Sequence, residues 1–245
     1  MVRALLVRGM AVGVLAGVLA FAFAYVVGEP QVEAAIAFEE LAAARTGDRA
    51  EAEVVSRGIQ RTLGLLLGTV AIGVALGGLF ALVYAYAYGR TRVTGARLTA
   101  AALAAVAFAT ITLVPFTKYP ANPPAVGDPA TLDERTLLSF AMIAITGCAL
   151  LAAVRVHAKA RRRLGSWNAA IVAGAGFLAL IVVAQLILPA VQETPPGFPA
   201  DVLYDFRLAS LGTNATLWLV IGLGFGAAAE RLLADAGKVG TNLAA

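Results

Sequence analysis

A single histidine and a single cysteine in 245 residues leave the chain without the side chains that most often build tight transition-metal sites or disulfides. His157 stands between Arg155 and Lys159, whose charges repel a divalent cation, and reads as a solvated loop residue. Cys148 has no partner for an intramolecular disulfide, and at six residues from Met142 it does not share a helix face with that thioether. Both read as packing residues. Charge is scarce as well: 14% of residues, where a soluble domain carries about 25%. No Gly-rich loop ending in Gly-Lys-Ser/Thr is present, so the chain does not hydrolyse ATP alone. With one histidine no Ser-His-Asp set can be assembled. No enzymatic activity, catalytic residue or resident cofactor is expected. The net charge of +4 would suit nucleic acid, but the basic residues form short clusters between apolar runs, not one continuous face.

What is abundant is apolar: 60% of residues, with a mean hydropathy of +0.83. Apolar runs of 18 residues or more suffice to cross a hydrocarbon core of roughly 30 Å as helix. The expected fold is an all-α integral membrane protein, one polytopic domain over 1–245 with the lipid bilayer as its solvent. Six spans are read at 5–27, 63–88, 98–115, 136–154, 169–189 and 211–229, as three hairpins.

The charges orient these spans. The N-terminus (Arg3, Arg8), the second loop (Arg90, Arg92, Arg97), the fourth loop (Arg155, Lys159, Arg161, Arg162, Arg163) and the tail (Arg231, Lys238) hold twelve of the 19 basic residues. They hold only Glu230 and Asp235 of the 15 acids, a net of +10 against −6 for the other three loops. Short basic loops stay cytoplasmic. Both termini are therefore expected in the cytoplasm of a multi-pass inner-membrane protein, with three acidic loops outside. Residues 1–24 also have the outline of a signal peptide, with Arg3 and Arg8 before an apolar stretch ending Ala22-Phe23-Ala24. The length of that stretch and its glycines favour a retained span. Gly9, Gly13 and Gly17 recur every fourth residue, as do Gly64 and Gly68, Gly73 and Gly77, and Gly222 and Gly226, a spacing that lets helices approach closely.

The acidic loops are not plain connectors. The first, from Gly28-Glu29-Pro30-Gln31, can be helical after Pro30, with Val32, Ala35, Ile36 and Glu39 on one side. The second, Pro115 to Pro129, is proline-stiffened and extended; the third runs from Pro189 to Arg207. The second and third resemble each other. Each follows an aliphatic-Pro end (Val114-Pro115, Leu188-Pro189), and each has a Pro-Pro pair whose second member lies 11 residues before an arginine, Pro124 to Arg135 and Pro196 to Arg207. Each arginine has an aspartate two residues earlier, Asp133 and Asp205. An internal parallel repeat is the expectation, with the first hairpin, entered by Arg57 or Arg61, as a diverged third copy. Each Asp and Arg can simply anchor a helix end. The functional alternative is that the three turns converge and their carboxylates form a cation entry site.

At these loops the chain resembles a known family, the cobalt transporter subunits of the CbtA type. The resemblance rests on Gly28-Glu29-Pro30-Gln31-Val32, on Gly78-Leu79-Phe80-Ala81 with Tyr88-Gly89-Arg90, on the central run Lys118 to Pro129, and on Gly197-Phe198-Pro199-Ala200 through Phe206-Arg207-Leu208-Ala209-Ser210. Thr117 stands where the family usually has an aliphatic residue. The resemblance implies cobalt uptake for cobalamin synthesis together with a small histidine-rich membrane subunit, and carries no established ligand set. A homo-oligomer is left open.

Cobalt(II) prefers imidazole, and carboxylates and carbonyls are weaker, harder ligands. A tight soft-metal site must then lie on a partner, with cobalt(II) as substrate here. What this chain offers is oxygen: Glu29, Glu33, Asp128, Asp133, Glu193, Asp201 and Asp205, with Asn122 and loop carbonyls. Of these, Glu29, Asp133 and Asp205 are the candidate metal residues, all near one boundary. Glu33, Lys118, Tyr119, Asn122, Asp128, Arg135 and Arg207 are candidate structural or pathway residues. Weak binding suits capture and release. The spans carry almost no ionisable groups, which argues against a proton-coupled pump; Gln185 and Asn214 are among the few polar residues in or near them. Two rival readings stay open: a non-transporting scaffold or sensor, and an organic-solute permease lined by Tyr119, Phe198, Tyr204 and Trp218.

Overall fold

The computed structural model describes residues 1–46, 55–90 and 95–242, with the side chains of 46 and 236–242 outside the described set. Arg92 and the Lys238 side chain, both assigned to basic segments, lie outside the described residues. Among the described residues there is no strand, and five helical stretches are long and apolar enough to cross a membrane: Val2–Arg45, Arg57–Ala87, Ala96–Phe116, Pro129–Ile187 and Ala200–Asp235. The chain is a multi-pass membrane protein in which large apolar side chains cover the surface and small ones fill the contacts. It divides into two compact units, Met1–Phe108 with Ala200–Ala245, and Ala109–Pro199.

In the first unit, α1 (Val2–Phe23) passes through a wide π turn, Ala24–Gly28, straight into α2 (Glu29–Thr46). Pro30 explains the turn: it has no N–H, and its ring crowds the carbonyl four residues back, which a widened turn relieves. The stretch Val2–Arg45, 44 residues, is about 65 Å long, more than twice the hydrocarbon thickness. Its charged second half therefore extends beyond the lipid core. The chain returns through α3 (Arg57–Ile59), a second π turn (Gln60–Gly64) and α4 (Leu65–Ala87).

The glycines set the α1–α4 distance. A Cβ on Gly13 would fall inside the Gly73 backbone and one on Gly9 inside that of Gly77, while one on Gly17 would lie 2.5 Å from Val70 Cα. On the other side, α5 (Ala96–Ala107) meets α8 (Ala200–Asn242) through Gly222, whose Cβ would sit 2.6 Å from Ala104 Cβ, and Gly226. Gly64 and Gly68, which share the spacing, meet no other helix. Phe80, Tyr84 and Phe225 stack edge to face in the core beside Trp218 and Ile221. The buried Tyr84 hydroxyl, costly to leave unpaired in lipid, donates to the Ala96 carbonyl at 3.3 Å.

The second unit starts at Ala109, inside a π turn (Phe108–Leu113) that leads from α5 into α6 (Val114–Phe116). Here too a π turn precedes a proline, Pro115, which the helix includes before ending at Phe116. At Leu188-Pro189 the helix stops before the proline, with Leu188 extended at ψ 143°. The two aliphatic-Pro ends are therefore structurally different. A loop and a short 3₁₀ turn (Pro129–Thr131) lead into α7 (Leu132–Ile187), 56 residues broken at Gly165, where φ 75° and ψ 167° are open only to glycine. Met142, Ala149, Ile181 and Ala184 cluster across the break, so the two segments pack side by side.

α8 begins at Ala200, well before the expected span start near 211, because the chain after Pro199 needs no further turn to become helical. Asp201, not Asp205, occupies its first turn. Arg135 is thus the fourth residue of α7 and Arg207 the eighth of α8, so equal spacing from the Pro-Pro pairs does not give equal helix positions.

Candidate functional site

The acidic end of the first unit is closed by a two-rung ladder. Arg57 donates to Glu29, and Arg61 Nη1 donates to Glu33 Oε1 at 2.6 Å. Both glutamates and both arginines are four residues apart, one helical turn, so the pairs stack along two neighbouring helices. The inner rung is the shielded one: the Glu29 and Arg57 side chains are 12% and 25% exposed, against 52% and 43% for Glu33 and Arg61. A cation approaching Glu29 must compete with a guanidinium already in place. A Cβ on Gly28 would lie 3.9 Å from Ala209 Cβ, which brings the start of this ladder beside α8. On α8, Asp201 and Asp205 are exposed and Arg207 is half-buried. At the opposite, basic end, Arg97 Nε pairs with Glu230 Oε2 at 2.7 Å.

In the second unit the proline-rich loop is latched to the last turn of α7 and the segment that follows it. Lys118 Nζ donates to the Gln185 carbonyl at 2.7 Å, and the Tyr119 hydroxyl to the Pro189 carbonyl at 2.8 Å. Gln185 Nε2 donates to Thr117 Oγ1 at 2.7 Å, which adds Thr117 to the latch. Glu193 is the hub. Its carboxylate accepts from the Thr131 hydroxyl at 2.6 Å and the Asp128 N–H at 2.9 Å, and faces Arg135 Nε at 3.4 Å. Asp128 itself caps the 3₁₀ turn by accepting from the Ala130 N–H at 2.8 Å. Gly127 (φ +122°) leaves room for the Arg135 guanidinium, which occupies the place of its missing Cβ.

Two titrations follow from this geometry. The Thr131 hydroxyl foremost, then the Asp128 N–H and the Arg135 charge, hold the Glu193 carboxyl below its ordinary 4.5. Burial, with a smaller contribution from the Glu134 charge, raises the Tyr119 phenol and keeps it a donor.

The candidate metal residues are differently placed. Glu29 is ion-paired, whereas Asp133 lies exposed in the first turn of α7 and Asp205 exposed on α8. Glu29 and Asp205 belong to the first unit, Asp133 to the second. Among the described residues no group of three or more His, Cys, Asp or Glu is close enough to hold a metal ion. Asn122 is half-buried in the loop, and His157 half-buried on α7. Cys148 lines an apolar cavity of about 580 Å³ between the two α7 segments. Of the aromatic residues that a solute site would use, Trp218 and Phe198 are buried in different units while Tyr204 is exposed.

In the sequence, Asp133 stands two residues before Arg135 and both read as helix-end anchors, without a named ion-pair partner. The structure pairs Arg135 with Glu193 and not Asp133, because residues two apart on a helix point to opposite faces. The signal for Glu193 was its position as the lone acid between Pro189 and Pro199.

No curated protein and no solved structure matches the chain. A family model described as "Probable cobalt transporter subunit (CbtA)" matches residues 2–230, and the chain belongs to that family.

Proposed function

We propose that this chain is the permease subunit of a membrane system that takes up cobalt(II) or a similar divalent cation. The carrying observation is the family match over nearly the whole chain, with its description as a transporter subunit. The break at Gly165 supports six spans: α7 at 56 residues would be about 84 Å long if unbroken, far beyond one bilayer. In this reading both units form one membrane domain and both termini face the cytoplasm of the inner membrane. The Arg97–Glu230 pair agrees, since it joins two segments assigned to the same side.

Tight metal capture falls to a small histidine-rich membrane partner, because this chain supplies oxygen ligands and no imidazole cluster. Glu29 and Asp205 of the first unit, and Asp133 of the second, act as weak, exchangeable cation contacts at the outer boundary, where carboxylates beside low-dielectric walls raise the local cation concentration. At Glu29 the incoming metal displaces Arg57. The chain does no covalent chemistry. Radiocobalt uptake into cells expressing this chain with and without its partner tests the reading: accumulation requiring both is expected. Uptake indifferent to deletion of this chain would refute it.

A further inference from the structure

Between Arg155 and Arg163 the chain carries five basic residues and no acid. They lie on the first segment of α7, still helical up to the break at Gly165. At 100° per residue, Arg155, Lys159, Arg162 and Arg163 fall within an arc of about 100°. Those four are exposed, while Arg161, on the other side, is half-buried. None of the ion pairs among the described residues involves any of the five.

In line with this face and one turn farther from the break, Leu151 is apolar and exposed. Cys148, Ala149 and Ala152 share a cavity with Leu180, Val183 and Ala184, so the segments run antiparallel about Gly165. Counting toward the break from both sides sets the basic stretch alongside the residues that follow Trp167. Those include Ile171 and Val172, both exposed, and contain no acid. Trp167, 77% exposed, stands at the turn, where indole rings settle at the headgroup level of a bilayer.

We propose that this face of α7 binds anionic phospholipid, its phosphate on Arg155, Lys159, Arg162 and Arg163 and its acyl chain along Leu151, one turn farther from the break on the same face. Each element of the occupant has a counterpart: a cluster of cations for the headgroup and the exposed Leu151 for the tail. A soluble acidic protein would leave Leu151 unmatched, and inorganic phosphate would leave it bare. The surface owes nothing to the cobalt reading and requires only that the hairpin sit in a membrane.

The chain has two tryptophans, and Trp218 is 5% exposed in the core of the other unit. The full chain carrying Trp218→Phe therefore reports from Trp167 alone. It is reconstituted in equimolar phosphatidylcholine and phosphatidylglycerol, with bromine on the acyl chains of one lipid or the other. Brominated phosphatidylglycerol should quench Trp167 more strongly, corresponding to about a threefold or greater preference. Arg162→Gln with Arg163→Gln, which keeps Arg155, Lys159 and Arg161, should at least halve that preference. High salt should do the same to the parent chain, a readout that needs no variant. Added inorganic phosphate at constant ionic strength should leave it unchanged. Equal quenching by the two lipids overturns the proposal, and so does a preference that inorganic phosphate abolishes.

Discussion

Glu193 shows how one carboxylate can hold a loop that has almost no regular structure. It ties together Thr131, Asp128 and Arg135, and its folded-state carboxyl lies below the ordinary 4.5. A carboxyl lowered by folding contributes stability above its unfolded value and loses it as pH falls through the folded one. Glu193→Gln should accordingly lower the Tm at neutral pH, and the gap from the parent should close as the pH drops below 4.5. A gap independent of pH would remove Glu193 from the latch. Gly127 makes the companion test. An alanine there is both strained at φ +122° and in collision with the Arg135 guanidinium, whereas Gly197 (φ +81°) opens on empty space. Gly127→Ala should cost about 1–3 kcal/mol and Gly197→Ala distinctly less, compared by thermal melts in detergent.

Between helices, packing is decided by which glycines actually face a neighbour. Gly13 and Gly73 meet backbone to backbone, and Gly68 meets nothing within 4 Å. Lipid offers no hydrophobic drive for helix association, so close van der Waals approach carries the α1–α4 contact. Gly13→Leu should lose about 1–3 kcal/mol or more of stability by overpacking against a backbone that cannot yield, while Gly68→Leu should be nearly silent. The measurement is the fraction of each variant surviving a heat step before size-exclusion chromatography. Equal survival would mean that α1 and α4 are not held by this seam. Prolines act at the same scale. Pro30 and Pro115 each follow a π turn, but only at Pro30 does the helix run on. α6 ends at Phe116, one residue past Pro115, and α7 at Ile187, just before Leu188-Pro189.

For the whole chain, the assigned orientation makes a direct forecast. In a background carrying Cys148→Ala, cysteines at Asn122 and Pro196 should react with an impermeant thiol reagent added outside intact cells, and one at Arg162 should not. Labelling at Arg162 would reverse the topology. The outer-boundary proposal is tested by Glu29→Gln, Asp133→Asn and Asp205→Asn together. Uptake per folded transporter should fall more at limiting than at saturating cobalt, because such carboxylates raise capture rate and not turnover. Glu29→Gln also frees Arg57, so Asp133→Asn with Asp205→Asn alone separates lost capture from a loosened α2–α3 ladder. Normal uptake by well-expressed variants would strike these carboxylates from the pathway.

Composition and hydropathy by themselves determined the membrane class and the small-residue spacing that lets helices pack, because lipid demands long apolar helices and close packing demands small residues. Which glycines meet, Gly13 on Gly73 but not Gly68, needed the fold. The central motif sufficed for the family. Partner identity needed the tertiary structure. Arg135 pairs with Glu193 and not Asp133, and Glu29 with Arg57, since ion pairs form between side chains that separate elements bring together. Helix limits needed it too. The span expected to end at 27 runs on through Pro30, where a widened turn absorbs the proline, and the loop expected from 155 to 168 is helical except at Gly165. Whether a proline or glycine ends a helix depends on what the neighbouring carbonyls can bond to and what packs against the bend, and only the folded chain decides that.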